Sequence, residues 1–240
     1  MLSSNIIKAA LSTYNWLGYL GNATDCTDLI AESSLKYPFV ECLERNHVDN
    51  IHLEVGHPLF QRKRIDICIV PETNGIIKFS IGIPICVEFK FVHEDTDSKK
   101  ERQRYFNDLL RLSYLKQYYK SAVCYFIVYG SSFLFNGKFR KTYKKPQQKT
   151  TDIVKTKSTY SCKSKYHDFL SFSSQNIKIV NLSNKKFTDY ISVFNEEYLE
   201  QTRQNVDLSN IELRLATKLV YLYKSSSGNP YSMGIWEVTI

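Results

Sequence analysis

Two stretches decide how this chain reads: Arg64-Ile65-Asp66-Ile67-Cys68-Ile69-Val70 and Pro84-Ile85-Cys86-Val87-Glu88-Phe89-Lys90-Phe91. Both are short apolar runs of strand length, rich in β-branched and aromatic residues. Each also carries charge where a core strand should carry none. Alternation puts Ile65, Ile67 and Ile69 on one face of the first strand, with Asp66, Cys68 and Val70 on the other. In the second, Val87, Phe89 and Phe91 share a face, and Cys86, Glu88 and Lys90 share the opposite one. If the two strands are neighbours, Asp66, Glu88 and Lys90 converge in apolar surroundings. A buried charge costs several kcal/mol unless it is paired or metal-bound, so three in one place require a compensating reason. The plain alternative is a set of strand-end acids facing water, with Lys90 bridged to one of them.

Around these strands the hydrophobic period alternates between helix and sheet. A helix is expected after Ser3 or Ser4, through Ile6-Ile7-Lys8-Ala9-Ala10-Leu11. A second is expected from near Thr27-Asp28, where Glu32, Leu35, Phe39 and Cys42 recur at helical spacing. Pro38 must kink that stretch or open a new helix. Ile51-His52-Leu53-Glu54-Val55 reads as a strand, and Ile76 to Phe79 continues the meander after an Asn74-Gly75 turn. Beyond the acidic loop 94–97, a helix carries Phe106, Leu109, Leu110, Ser113 and Leu115, and an aromatic strand follows from Val123 to Tyr129. Phe133 to Phe139 reads as a hairpin on Asn136-Gly137, and Ile177 to Val180 as a strand. Asp207 or Ser209 would cap a helix from Ile211 to about Lys224, packed on the core or serving a dimer. The order predicts an α/β fold with a mixed β-sheet flanked by helices.

At 240 residues the chain suits one domain with a sizeable core, and its 43% hydrophobic and 23% charged content excludes disorder or a fibrous repeat. No apolar run is long enough to span a bilayer, and residues 1–5 lack a secretory signal, so a soluble cytoplasmic protein is expected. The six cysteines form no C-x-x-C pair, which speaks against a zinc ribbon and for reduced, buried thiols. The net charge of +8 is concentrated: residues 138–165 hold ten Lys/Arg, among them Lys138, Arg140, Lys141, Lys144, Lys145 and Lys149, against one acid, Asp152. Pro146, Gln147 and Gln148 break any amphipathic helix there, so nucleic acid is preferred over a membrane surface as the partner. Tyr143, Tyr160 and Tyr166 lie in or beside this block, and exposed tyrosines there could stack on bases. There is no P-loop, G-x-G-x-x-G or G-x-S-x-G string, and the five histidines show no metal-ligand spacing.

An acid in an Ile-rich strand, followed by E-x-K in a second apolar strand, resembles the PD-(D/E)XK, or restriction-endonuclease-like, nuclease superfamily. The matching strings are Arg64-Ile65-Asp66-Ile67 and Val87-Glu88-Phe89-Lys90. Glu32 resembles the first-helix glutamate of many members, and Gln103 and Asp108-x-x-Arg111-Leu112 sit where the helix after the motif would lie. The resemblance spans about residues 26–130. It departs from the pattern in having Ile65 in place of the proline and in the long spacing from Asp66 to Glu88.

The resemblance implies a single nuclease domain over residues 1–240: a core at 26–130, a basic excursion at 138–176 and a C-terminal strand and helix within 177–240. It implies Asp66 and Glu88 as Mg²⁺ ligands with the Phe89 carbonyl as a third, Mn²⁺ serving as a substitute. Lys90 would position the water, Glu32 would be an outer or second-metal carboxylate, and Gln103 would be an accessory. The chemistry suits these residue types, because Mg²⁺ takes oxygen ligands and a neighbouring cation stabilises the charge developing on phosphate. Glu41 and Glu44 lie on nearby turns as rivals to Glu32, and Lys36 offers Glu32 a surface partner. The implied activity is DNA cleavage, in a restriction or phage-defence setting, by a homodimer or with a partner subunit. A non-cleaving nucleic-acid-binding module and an interaction subunit that docks an acidic partner are the alternatives.

Overall fold

Strands β1 (Ile51–Gly56), β2 (Arg64–Ile69) and β5 (Ile85–Val92) form an antiparallel meander at one side of a seven-stranded sheet. The computed structural model describes residues 2–23, 30–92, 99–139, 142–146, 159–163, 165–224, 226 and 228–240. From β5 the chain crosses through helix α3 (Lys99–Tyr118) to β6 (Val123–Ser131), which pairs with β5 in parallel. Such a crossover needs a connection of helix length, which α3 supplies. The sheet continues through β11 (Tyr231–Thr239) and β10 (Ala216–Tyr223) to the two-residue edge strand β9 (Lys178–Ile179), all antiparallel.

Helices cover both faces. Helix α1 (Leu2–Ala23) is longer than the expected segment and buries Ile6, Ala9, Ala10, Tyr14 and Leu17, one stripe at helical spacing. A 3-10 turn at Glu32–Leu35 leads into α2 (Lys36–Arg45), so Pro38 lies in the first turn of a new helix, where its missing N–H costs nothing. These two helices pack on Ile67, Ile69, Val87, Phe89, Ile127 and Met233. On the other face α3 buries Phe106, Leu109, Leu110, Leu112 and Leu115 against Cys86, Cys124, Phe126 and Trp236. Cys68, Cys86 and Cys124 are free, buried thiols. No helix among the described residues is long and apolar enough to cross a membrane.

Several expectations need correction. Residues Ser132–Phe139 form helix α4, not a hairpin: helical spacing stacks Phe135 on Phe139 at 4.9 Å between ring centroids, and both are buried. That tertiary burial overrides the Asn-Gly turn signal. The expected helix from Ile211 to Lys224 is instead strand β10, whose Ala-Thr-Lys-Leu-Val-Tyr-Leu-Tyr sequence is rich in β-formers. Its partner β11 alternates Met233 and Ile235 toward one core, Trp236 and Val238 toward the other. Residues 177–240 therefore hold the edge strand β9, a short helix at Thr188–Phe194 and the strand pair β10–β11, so the helix lies earlier in the chain than expected. The Asn74-Gly75 turn exists, with φ of +53° and +75°, the I′ signature. However, it joins only the two-residue strands β3 (Glu72–Thr73) and β4 (Ile76–Ile77), a ribbon outside the main sheet.

In the basic segment, β7 (Thr142–Pro146) pairs with β8 (Thr159–Lys163) as a separate ribbon, with Lys144 opposite Ser161 and Lys145 opposite Tyr160. Lys138 lies in α4. Arg140, Lys141 and Lys149 lie outside the described residues, as do His93, the loop 94–97 and Thr27-Asp28. Tyr166 is buried beneath Phe139 and cannot stack on a base.

Candidate active site

Where β2 and β5 lie side by side, Cys68 pairs with Cys86 and Ile67 with Val87, and the ladder ends there. Beyond that point Asp66 and Glu88 occupy the next rungs. The Phe89 N–H donates to Asp66 Oδ2 at 2.8 Å. Alternation along β2 breaks at Asp66: Ile67 and Ile69 pack with α1 and α2, whereas Ile65 joins Cys68 and Val70 on the α3 face. The three isoleucines therefore do not share a face. Opposite Asp66, Glu54 in β1 has a φ of +52°, a left-handed residue inside a strand, and this interruption accompanies the change of face.

A chain of ion pairs ties the site together. Lys36, the first residue of α2, lies 2.6 Å from Asp66 Oδ1 and also pairs with Glu54. It is buried, and it is not the surface partner of Glu32 that its spacing allows. Lys90 bridges Glu32 Oε1 at 3.1 Å and Asp108 Oδ2 at 3.0 Å. Arg111 pairs with Asp108, lies 3.0 Å from Glu88 Oε1, and donates from Nη1 to the Arg64 carbonyl at 2.8 Å. The alignment at Glu88 is poor, so the buried Oε1 accepts no hydrogen bond. Glu41 is exposed and pairs with Arg45, and Glu44 is exposed, which leaves Glu32 as the helical-segment acid at the site.

The electrostatics follow from this arrangement. Burial pushes the Glu88 carboxyl well above the ordinary range, more than Arg111 offsets, and Asp66 and Asp108 push it the same way. For Lys90, burial alone would lower the pKa, but Asp108, Glu32 and the other carboxylates hold it above the ordinary lysine value. Asp108 is likewise pulled below its ordinary value, against its burial, by Lys90 and Arg111. Among the described residues the network links five carboxylates (Glu32, Glu54, Asp66, Glu88 and Asp108) to three cations, Lys36, Lys90 and Arg111. With every carboxylate ionised, it is short of two positive charges.

A cleft of about 760 Å³ opens on Lys90 and Asp108. Lys99, Lys100 and Arg104 from α3 lie along it, facing Glu197 and Tyr198 of the turn Asn195–Leu199 that follows helix α5 (Thr188–Phe194). Gln103 also lines it and donates to Asn107 Oδ1 at 2.7 Å and to the Tyr190 carbonyl at 2.8 Å, which joins α3 to α5.

Asp66, Glu88, Lys90 and Glu32 are thus brought together. The sequence reading misses Lys36 and Glu54 as members of the site and leaves Asp108 and Arg111 without a role. One signal for the last two was present: opposite charges at i, i+3 in an otherwise apolar Leu109-Leu110-Leu112 face. Among the described residues no group of three His, Cys, Asp or Glu side chains is already arranged to hold a metal ion. The charge deficit and the buried Glu88 Oε1, which has an ion-pair contact with Arg111 but no hydrogen bond, would suit a divalent cation held by Asp66 and Glu88. No protein-family model, curated protein or solved structure matches the chain.

Proposed function

We propose that this protein is a Mg²⁺-dependent endonuclease that hydrolyses phosphodiester bonds in DNA. The observation that carries the reading is a partly buried cluster, short of two positive charges when all its carboxylates are ionised, whose Lys90 and Asp108 line a cation-rich cleft. A buried cluster with surplus negative charge is unfavourable by itself, and a doubly charged cation would balance it. The antiparallel meander that carries Asp66, Glu88 and Lys90, with the helical crossover and parallel strand that follow it, supports the same reading by its resemblance to the PD-(D/E)XK arrangement.

Asp66 and Glu88 would hold the ion, with the Phe89 carbonyl as a further ligand. When bound, Mg²⁺ supplies Lewis acidity and a water of lowered pKa. The chain's own groups do the rest. Lys90 is held protonated by Asp108 and Glu32, so it acts as a hydrogen-bond donor toward water or phosphate oxygen and not as a base. Asp108 and Arg111 fix Lys90 and Glu88 in place from α3. Glu32 holds Lys90 from the opposite side, as an outer carboxylate. The basic segment containing Lys138, Arg140, Lys141, Lys144, Lys145 and Lys149 would contact phosphates beyond the cleft.

Incubating supercoiled plasmid with the protein in Mg²⁺, Mn²⁺ or EDTA tests the assignment. Cleavage should require the metal and fall by several orders of magnitude in Asp66→Ala, Glu88→Ala and Lys90→Ala. Substantial Mg²⁺-dependent cleavage by a purified variant would remove that residue from its role. DNA binding without cleavage by the wild type would favour the non-cleaving module.

A further inference from the structure

Just upstream of Ile65-Asp66 the chain reads Gln61-Arg62-Lys63-Arg64, and residues 57–64 hold three cations and no acid. This loop is clamped to residues 201–205. Phe60 forms a β-bridge with Thr202, the Gln61 N–H donates to the Gln201 carbonyl at 2.8 Å, and the Arg203 N–H donates to the Leu59 carbonyl at 3.0 Å. Arg203 Nε donates to the His57 carbonyl at 2.9 Å. Leu59 and Phe60 are fully buried beneath the clamp, so the platform is rigid and offers no apolar surface of its own. On it lies a polar hollow of about 530 Å³ lined by Gln61, Arg62, Arg203, Gln204 and Asn205, with no carboxylate among them.

Four other surface cations are paired with carboxylates. Lys99 pairs with Asp189, Lys186 with Asp168, Arg45 with Glu41 and Arg214 with Glu212. Among the described residues no carboxylate pairs with Arg62, Lys63, Arg64 or Arg203. Arg62 and Arg64 are exposed. The platform is also continuous with the cleft: Lys63 Nζ lies 4.3 Å above the Tyr198 ring, and Tyr198 lines the cleft that opens on Lys90.

We propose that the clamped loops 57–64 and 201–205 form a phosphodiester-binding platform that holds the DNA backbone beside the Lys90 cleft through Arg62, Arg64 and Arg203. This rests on the nucleic-acid reading of the site and adds to it a phosphate contact outside the basic segment. Guanidinium groups match phosphate oxygens two at a time, and Gln61, Gln204 and Asn205 add neutral donors for phosphate and sugar oxygens. The lack of apolar side chains in the hollow speaks against insertion into a membrane, which needs an apolar face.

Binding of a fluorescein-labelled duplex in EDTA, followed by anisotropy across a salt series, tests this without cleavage. The double variant Arg62→Gln/Arg64→Gln changes two exposed side chains and should flatten the log–log salt slope by roughly two units, at about 0.9 per phosphate contact. An unchanged slope, with the wild type binding normally, overturns the platform and leaves the nuclease assignment standing. No binding of duplex or single strand by the wild type overturns both. Poly-glutamate serves as the second probe. If the double variant loses affinity for it but not for DNA, the surface docks an acidic protein and the proposal fails.

Discussion

Replacing Lys36 by Met removes one of the three cations that hold the site and keeps most of the aliphatic stem. In the metal-free protein Asp66 would then keep only the Phe89 N–H, 2.8 Å from Oδ2, and Oδ1 would face no cation. Breaking a buried pair from one side costs about 3–5 kcal/mol. The partly solvated Glu54 partner, 43% exposed, adds little, so the low end, about 3 kcal/mol, is expected. At roughly 2–4 °C per kcal/mol for a domain of this size, Tm in EDTA should fall by about 6–12 °C. Excess Ca²⁺ should restore much of that loss. In the proposed site Lys36 and a divalent ion would compete for the same Asp66 oxygen, so removing Lys36 would both deepen the charge deficit and free the ligand. Stabilisation by ligand grows as RT ln(1 + [L]/Kd), about 2.7 kcal/mol at a hundredfold excess over Kd. Scanning calorimetry of both proteins, in EDTA and in Ca²⁺, reads the two effects separately. A Tm loss below about 2 °C in EDTA, or a Ca²⁺ shift no larger than that of the wild type, would refute the competition.

Two further outcomes follow from the same geometry and from the packing. Glu88 is raised above its unfolded pKa of about 4.3, so its protonated form favours folding. That contribution is complete below the unfolded pKa and is lost as pH rises through the folded one. Glu88→Gln should therefore match or exceed wild-type stability at pH 7 by about 1 kcal/mol, with the gap closing toward pH 4; a variant several degrees less stable at pH 7 would contradict the reasoning. Gly234→Ala would place a Cβ 2.4 Å from the ring of the fully buried Trp236, so urea denaturation should show a loss of about 1–3 kcal/mol, and an unchanged midpoint would mean that the ring is free to shift.

The central strands were legible in the sequence because their pattern is local: β-branched residues at period two in Arg64–Ile69 and Ile85–Val92 suffice. Helix α3 was legible from its apolar spacing. Helix α4 and strand β10 were not. Phe135 and Phe139 become helical through a partner, Trp236, that is about a hundred residues away, and in β10 the β-forming residues are preceded by Asp207 and Ser209, a cap pattern that competes with the strand signal. The break of face at Asp66 was hidden for a similar reason, since it accompanies Glu54 on a neighbouring strand. In the site, the three motif charges were found because charge in an apolar strand is anomalous. Lys36 was not, because a lysine at a helix start is ordinary until the fold brings it to Asp66.

Helix α3 sets both the core and the charges of the site. Asp108 and Arg111 alternate along it with Leu109, Leu110 and Leu112, all buried. Turning the helix by one residue, about 100°, would carry Asp108 away from Lys90 and at the same time lift several leucines out of the core. Each leucine holds the helix in place by about 1.5–3 kcal/mol. The α3 wall of the site therefore behaves as a stiff jaw. Compliance is left to the opposite wall, where Glu32 stands on a 3-10 turn and Glu54 on an interrupted strand, with side chains 36% and 43% exposed. Whatever group enters the site would press against an anvil on one side and a yielding lip on the other.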